Sequence, residues 1–166
     1  DYTQGAMRNA VKKDFRDIYS SPMSQGTRCH QLATYIVFDS PLVMLCDAPT
    51  AYRKEPECTR FIAGLPVVAD ETRILQGKMG EYIVTARRVG EDWIVGGLTD
   101  WEARTVDLDL SFLPEGMFRA EIFCDGINAD KKGEDYRHEY RDVKREDRLK
   151  MQLAPGGGFA IRLKKN

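Results

Sequence analysis

The chain has 166 residues, 42% hydrophobic and 31% charged, enough for one good core or for a small complete domain joined to part of another. Its 25 Lys and Arg against 26 Asp and Glu leave a formal charge of −1, which removes the basic surface that nucleic-acid binding needs. No apolar run reaches the roughly 20 residues of a bilayer span, since Asp39 and Pro41 interrupt the longest candidates, so neither nucleic acid nor a membrane is an expected partner.

From Asp1 to about Met23 the sequence is irregular and polar and reads as a long loop, with Phe15, Ile18 and Tyr19 as anchors. After Ser24-Gln25-Gly26-Thr27, the positions Cys29, Leu32, Ala33, Ile36 and Val37 fall on one helical face and predict a core-facing helix. Pro41 opens a second short helix carrying Leu42, Leu45 and Cys46, ended by Asp47-Ala48-Pro49. Glu57–Ala63 predicts a third, closed by Gly64 and Pro66. Three short helices with one strong apolar face do not make a bundle, so their partner is expected upstream, outside the chain.

At Pro66 the character changes. The seam Val67–Leu75 reads as the closing strand of one domain running into another. Beyond it the period becomes two, and Tyr82–Arg88, Trp93–Leu98, Thr105–Phe112, Phe118–Cys124, Tyr136–Val143, Leu149–Leu153 and Phe159–Leu163 are predicted strands. Turn residues lie between them, at Gly90-Glu91-Asp92, Pro114-Glu115-Gly116, Asp125-Gly126 and Pro155-Gly156-Gly157-Gly158. This is the pattern of an antiparallel β-sandwich. The charged run Lys131–Glu139 reads as a mobile loop entering a solvated strand.

The residues alone do not establish a reaction. Asp70 and Glu71 are adjacent carboxylates, but neighbours on a strand point to opposite faces, so the pair cannot flank one sugar unless the strand has just ended in a loop. A single one lining a substrate mouth competes with an ion pair to Arg73. His30 and His138 are too few for a histidine metal site, and Cys29 beside His30 does not make a catalytic pair on a helix. Cys29, Cys46, Cys58 and Cys124 show no metal spacing and read as structural. Asp125, Asn128 and Asp130 lack the Glu and Gly of a calcium loop and read as a turn. The triple glycine precedes a strand, with no Lys-Ser/Thr after it, and is a turn as well. Trp93, Trp101 and Tyr82 read as sandwich core more readily than as a sugar platform.

The words Asp1-Tyr2-Thr3-Gln4-Gly5-Ala6-Met7, Met23–Ala33, Phe38-Asp39-Ser40-Pro41-Leu42, Asp70-Glu71-Thr72, Gly80-Glu81-Tyr82, Asp125–Asp130 and Ala154–Gly158, in this order and spacing, resemble glycoside hydrolase family 97 through essentially the whole chain. That family contains α-glucosidases and α-galactosidases with an N-terminal sandwich, a (β/α)₈ barrel and a C-terminal β-domain. The resemblance implies an α+β fragment: residues 1–75 as the C-terminal end of the barrel, and 76–166 as an antiparallel β-sandwich with a possible oligomerisation role. Active sites of such barrels lie at the C-terminal ends of the strands. Asp1 and Tyr2, after the seventh strand, and Asp70 and Glu71, after the eighth, would then border the pocket.

No catalytic carboxylate and no metal ligand maps onto this chain, and Ala69 stands where the family pattern has an aromatic residue, usually Trp. The implied function is that of the C-terminal part of a hydrolase of terminal α-glucosyl or α-galactosyl linkages, inactive alone. Calcium belongs to the parent and not to this chain. The implied partners are the missing N-terminal sandwich and barrel, an α-linked oligosaccharide through the parent, and a homo-oligomer, in a periplasmic or secreted setting. The alternative is a non-catalytic β-sandwich module for domain packing, oligomerisation or carbohydrate binding.

Overall fold

The computed structural model describes residues 2–166. Before Pro66 come β1 (Tyr2–Thr3), β2 (Asn9–Ala10), β3 (Ser24–Gln25), α1 (Arg28–Val37), β4 (Val43–Met44), α2 (Pro49–Lys54) and α3 (Pro56–Ala63). After it come β5 (Glu71–Lys78), β6 (Tyr82–Val89), β7 (Asp92–Thr99), β8 (Arg104–Asp109), β9 (Phe118–Asp125), β10 (Tyr136–Val143), β11 (Arg148–Leu153) and β12 (Gly158–Lys165). All seven strands expected after Tyr82 are present, some alternating over one buried face, as β8 and β11 do, and others, such as β7 and β12, buried through most of their length.

Six strands form one antiparallel sheet in the order β10-β9-β12-β7-β6-β5. The β8–β11 hairpin covers one face, with Leu108 opposite Leu149 and Val106 opposite Met151. Their side chains meet Val84, Trp93, Val95, Phe118, Ile122, Phe159 and Ile161 in the larger core. On the other face lies the smaller core of Cys29, Leu32, Ile36, Phe61, Ile94, Phe123 and Ala160. The central strands are therefore buried on both sides, which explains why Trp93–Leu98 and Phe159–Ile161 read as nearly continuous apolar runs.

The partner of α1 is thus this sheet, not an upstream domain. A Cβ at Gly96 would press on Ile36, so the glycine lets α1 lie directly over β7. Thr27 caps the helix, its hydroxyl oxygen accepting from the His30 amide at 3.0 Å. Pro49 and Pro56 open α2 and α3, and Gly64 ends α3.

Other expectations need correction. No helix begins at Pro41: Val43–Met44 is extended and pairs with Tyr2–Thr3 in parallel, while the second helix begins at Pro49. The spacing of Leu42, Leu45 and Cys46 fits a helix locally, but pairing with a distant strand overrides it. Ile18 and Tyr19 are exposed; buried Ala6, Met7, Ala10 and Val11 anchor the first segment instead. The seam strand pairs antiparallel with β6, Thr72 opposite Arg87, so a boundary at 75/76 cuts through β5, and Asp70-Glu71-Thr72 leads into the sheet's edge. The charged run is docked: the Gly133 carbonyl accepts from the Arg28 amide at 2.7 Å, and Ala129 is buried.

Candidate functional site

The helix α1 carries a single charged residue, Arg28, and its exposed side is nearly absent. Positions 28 and 31 fall on neighbouring turns and face the first segment of the chain. Arg28 is fully buried. Its Nη1 lies 3.0 Å from Glu55 Oε2, its Nε donates to Asn9 Oδ1 at 2.5 Å, and Nη2 donates to the Met7 carbonyl. Gln31 Nε2 donates to the carbonyls of Gly5 at 3.1 Å and Ala6 at 3.0 Å, while its Oε1 accepts from Asn9 Nδ2 at 3.0 Å. The Met7 amide donates to Asp47 Oδ2 at 2.8 Å. Two helical side chains and one carboxylate therefore fix the backbone of residues 5–9, giving buried polar groups the partners that burial requires.

The fixed segment runs into two parallel strand pairs. Tyr2 lies opposite Val43 and Thr3 opposite Met44; Asn9 lies opposite Ser24 and Ala10 opposite Gln25. Beside the first pair is an apolar cleft of about 240 Å³ lined by Tyr35, Val43, Leu45, Tyr52, Ile62 and Val67 among others. Around its mouth Leu42 and Leu45 are 55% and 53% exposed, and Phe38, Met44, Val67 and Val68 are exposed too. The Tyr2 ring meets Phe38 edge-on, centroids 5.0 Å apart. So large a run of uncovered apolar side chains, rimmed by Asp39 and Arg87 in a 2.9 Å ion pair, has the character of an interaction surface.

Asp1, the first of the expected rim residues, lies outside the described residues. Tyr2 sits on the apolar face just described. Asp70 and Glu71 stand at the start of β5 and are engaged there: Asp70 Oδ2 accepts from the Gly90 amide at 2.7 Å and lies 3.6 Å from Arg88 Nη1. Glu71 pairs with Arg73 Nε at 2.5 Å and Arg88 Nε at 3.2 Å, and these hydrogen bonds, that to Arg73 first, hold its carboxyl below the ordinary range. Among the described residues no hydrogen bond or ion pair joins Tyr2 to Asp70 or Glu71. Trp93 is buried in the larger core, and Tyr82 lies under the Arg104 guanidinium at 5.0 Å.

A second junction ties the early segment to the sheet. Asp125, at the end of β9, accepts from the Thr27 hydroxyl at 2.6 Å and from the amides of Ala154 at 2.8 Å and Gly158 at 3.0 Å. Burial pushes its pKa up to about 6 despite these three donors. The turn Gly156-Gly157-Gly158 passes so close to Trp101, Asp125 and His30 that a Cβ at any of the three would collide. The Gly156 carbonyl accepts from the Thr27 amide at 2.9 Å, and His30 Nδ1 lies 3.2 Å from the Gly157 carbonyl. Burial also lowers the pKa of His30.

Arg28, Gln31 and Asn9 went unmarked as functional positions in the sequence reading, which placed only the apolar face of the helix. The available signal was compositional: a ten-residue helix with one charged side chain has no solvated face. Among the described residues no group of three or more His, Cys, Asp or Glu side chains is arranged to hold a metal ion.

Comparisons with known proteins place this arrangement, an antiparallel sandwich continuous with a segment of parallel strand pairs, among the glycoside hydrolases. Residues 68–164 match the family described as glycosyl-hydrolase 97 C-terminal, oligomerisation. The chain belongs to glycoside hydrolase family 97. It is 58% identical over 164 residues to the retaining alpha-galactosidase of Bacteroides thetaiotaomicron, covering 99% of this chain and 25% of that protein. It is 30% identical over 130 residues to a probable retaining alpha-galactosidase of Streptomyces bingchenggensis, covering 78% of this chain and 19% of that one. A family 97 enzyme from Pseudoalteromonas sp. strain K8, solved in complex with acarbose, superposes with a TM-score of 0.81 at 37% identity, over 85% of this chain and 23% of its own. The chain spans about a fifth to a quarter of the length of these two curated relatives.

Proposed function

We propose that this chain completes the catalytic barrel of a retaining α-glycosidase acting on terminal α-galactosyl linkages, and that its sandwich holds the enzyme in an oligomer. The observation that carries the first half is the apolar face around Tyr2, Phe38, Leu42 and Leu45, lying beside short parallel strands within a chain whose sheet is otherwise antiparallel. Parallel strands joined by helical crossovers are the repeating unit of a barrel, and they are stable only when both faces are covered. Residues up to about Pro66 are the barrel's last units on this reading, and the family match beginning at residue 68 supports a boundary close to that proline. Tyr2 and the preceding Asp1 would then lie near the pocket, whereas the ion pairs of Asp70 and Glu71 favour a structural role for those two.

Galactosyl preference and retention are supported by likeness to a retaining alpha-galactosidase and to a probable one; an α-glucosyl substrate is the competing outcome. Retaining hydrolysis needs a nucleophile and an acid/base carboxylate about 5–5.5 Å apart. On this reading both belong to the parent's other barrel strands, as do the calcium ligands. What this chain supplies is position: Arg28 and Gln31 hold the backbone that follows Tyr2. The parent would work in the periplasm or outside the cell, a setting supported only by family resemblance.

The test is turnover of nitrophenyl α-galactoside and α-glucoside by the full-length protein, with the first-formed anomer followed by NMR, beside the purified 166-residue chain. We expect α-galactoside cleavage with retention by the full-length protein and none by the chain alone. Turnover by the isolated chain would contradict the proposal.

A further inference from the structure

The sheet has two outer strands, and they differ. β5 carries an irregularity in its pairing between Ile74 and Gln76, a device that discourages a further strand from adding to an edge. β10 runs in unbroken register with β9 for eight residues, Tyr136-Arg137-His138-Glu139-Tyr140-Arg141-Asp142-Val143, with no proline or glycine. Among the described residues no further strand pairs with its outer edge.

From this edge we infer that β10 pairs antiparallel with β10 of a second copy of the chain, about a twofold axis at Tyr140, so that two six-stranded sheets become one. The inference rests on the oligomerisation role proposed above and names the surface that performs it. Charge order selects the register. Centred on Tyr140, the twofold sets Glu139 opposite Arg141 and His138 opposite Asp142, each pair occurring twice, as a self-complementary interface requires. Centred on Glu139, it would set Arg137 against Arg141 and Glu139 against itself, which is repulsive. Centred on His138, it would use only five residues of β10, because the chain before Tyr136 turns away and is held where the Gly133 carbonyl meets the Arg28 amide.

The faces agree as well. Glu139 and Arg141 share the side on which Val143 enters the larger core, while His138 and Asp142 share the side on which His138 stacks on Phe123 at 4.0 Å. Within one copy Glu139 Oε1 already lies 3.7 Å from Arg141 Nη2, so pairing would close a ring of four alternating charges. His138 is held in place by Glu121 Oε1 at 3.2 Å from its Nε2.

Sedimentation of the full-length protein tests this. The parent should be a dimer or a multiple of one. Arg141→Glu turns both Glu139–Arg141 contacts repulsive and should weaken self-association about ten- to thirty-fold, and Glu139→Arg with Arg141→Glu should restore it. Both side chains are partly solvent-exposed, and circular dichroism confirms that the variants fold. Independently, Tyr140→Cys in a Cys46→Ser background should give a disulfide-linked dimer on mild oxidation, because residues facing across an antiparallel pair stand about 4.5–5.5 Å apart at Cα, within disulfide reach. The Cys46→Ser parent should not. An oligomer that ignores the charge reversal and forms no such cross-link would overturn the β10 interface while leaving the oligomerisation role intact. A monomeric full-length protein would overturn both.

Discussion

The two faces of the six-stranded sheet are covered differently, and the contrast separates what the chain completes by itself from what it leaves to a larger protein. On one face the β8–β11 hairpin closes a core whose every fully buried member lies within residues 84–163. On the other, α1 and α3 close a smaller core with Ile94, Phe123 and Ala160, but beyond α1 the chain turns outward at Phe38 and exposes Leu42, Met44 and Leu45. The first face is held by apolar area. The second depends on polar fixtures, Arg28 and Asp125 above all, that tie a segment with little core of its own to the sheet.

The largest effect that would sharpen this contrast is at Arg28. Removing a fully buried guanidinium strands Asn9 Oδ1 and the Met7 carbonyl without a donor and leaves Glu55 unpaired. Arg28→Ala should cost about 3–5 kcal/mol in chemical denaturation. Hydrogen exchange should report the loss in residues 4–10 before the β8–β11 hairpin; uniform loosening of both faces would break the distinction.

A smaller effect lies at Asp125. Its folded pKa of about 6 is above the unfolded value of 3.8. The folded protein therefore holds more protons between those values, and stability should fall by about 2 kcal/mol as pH rises from about 4 to about 6, with the last few tenths of a kcal/mol lost by about pH 7. Asp125→Asn keeps an acceptor for the Ala154 and Gly158 amides and should abolish the slope. Thermal melts of the two proteins across this range check it, and an unchanged slope in the variant would assign the dependence elsewhere.

The same contrast explains what was legible in the sequence. Strands such as Arg104–Asp109 and Arg148–Leu153 alternate because one face meets a core inside the chain, so period alone located them. The stretch Pro41–Cys46 misled for the opposite reason. Its apolar residues serve a surface rather than this chain's core, and its extended backbone is decided by Tyr2–Thr3, some 40 residues away. β5 was mislaid between domains because Ile74 points to solvent on a bulged edge. Arg28 and Gln31 carried no periodic signal, since a buried polar side chain looks like a surface one until its partners are known.

The central claim is that the apolar face before Pro66 is covered by the rest of a longer enzyme. Cys46 lies at that face and is exposed, whereas Cys29, Cys58 and Cys124 are buried. The most direct measurement is the rate at which Cys46 reacts with a thiol reagent, followed by mass spectrometry, in the 166-residue chain and in the full-length protein. Rapid labelling in the chain and strong protection in the full-length protein is the expected result. Equal rates in both would contradict the account.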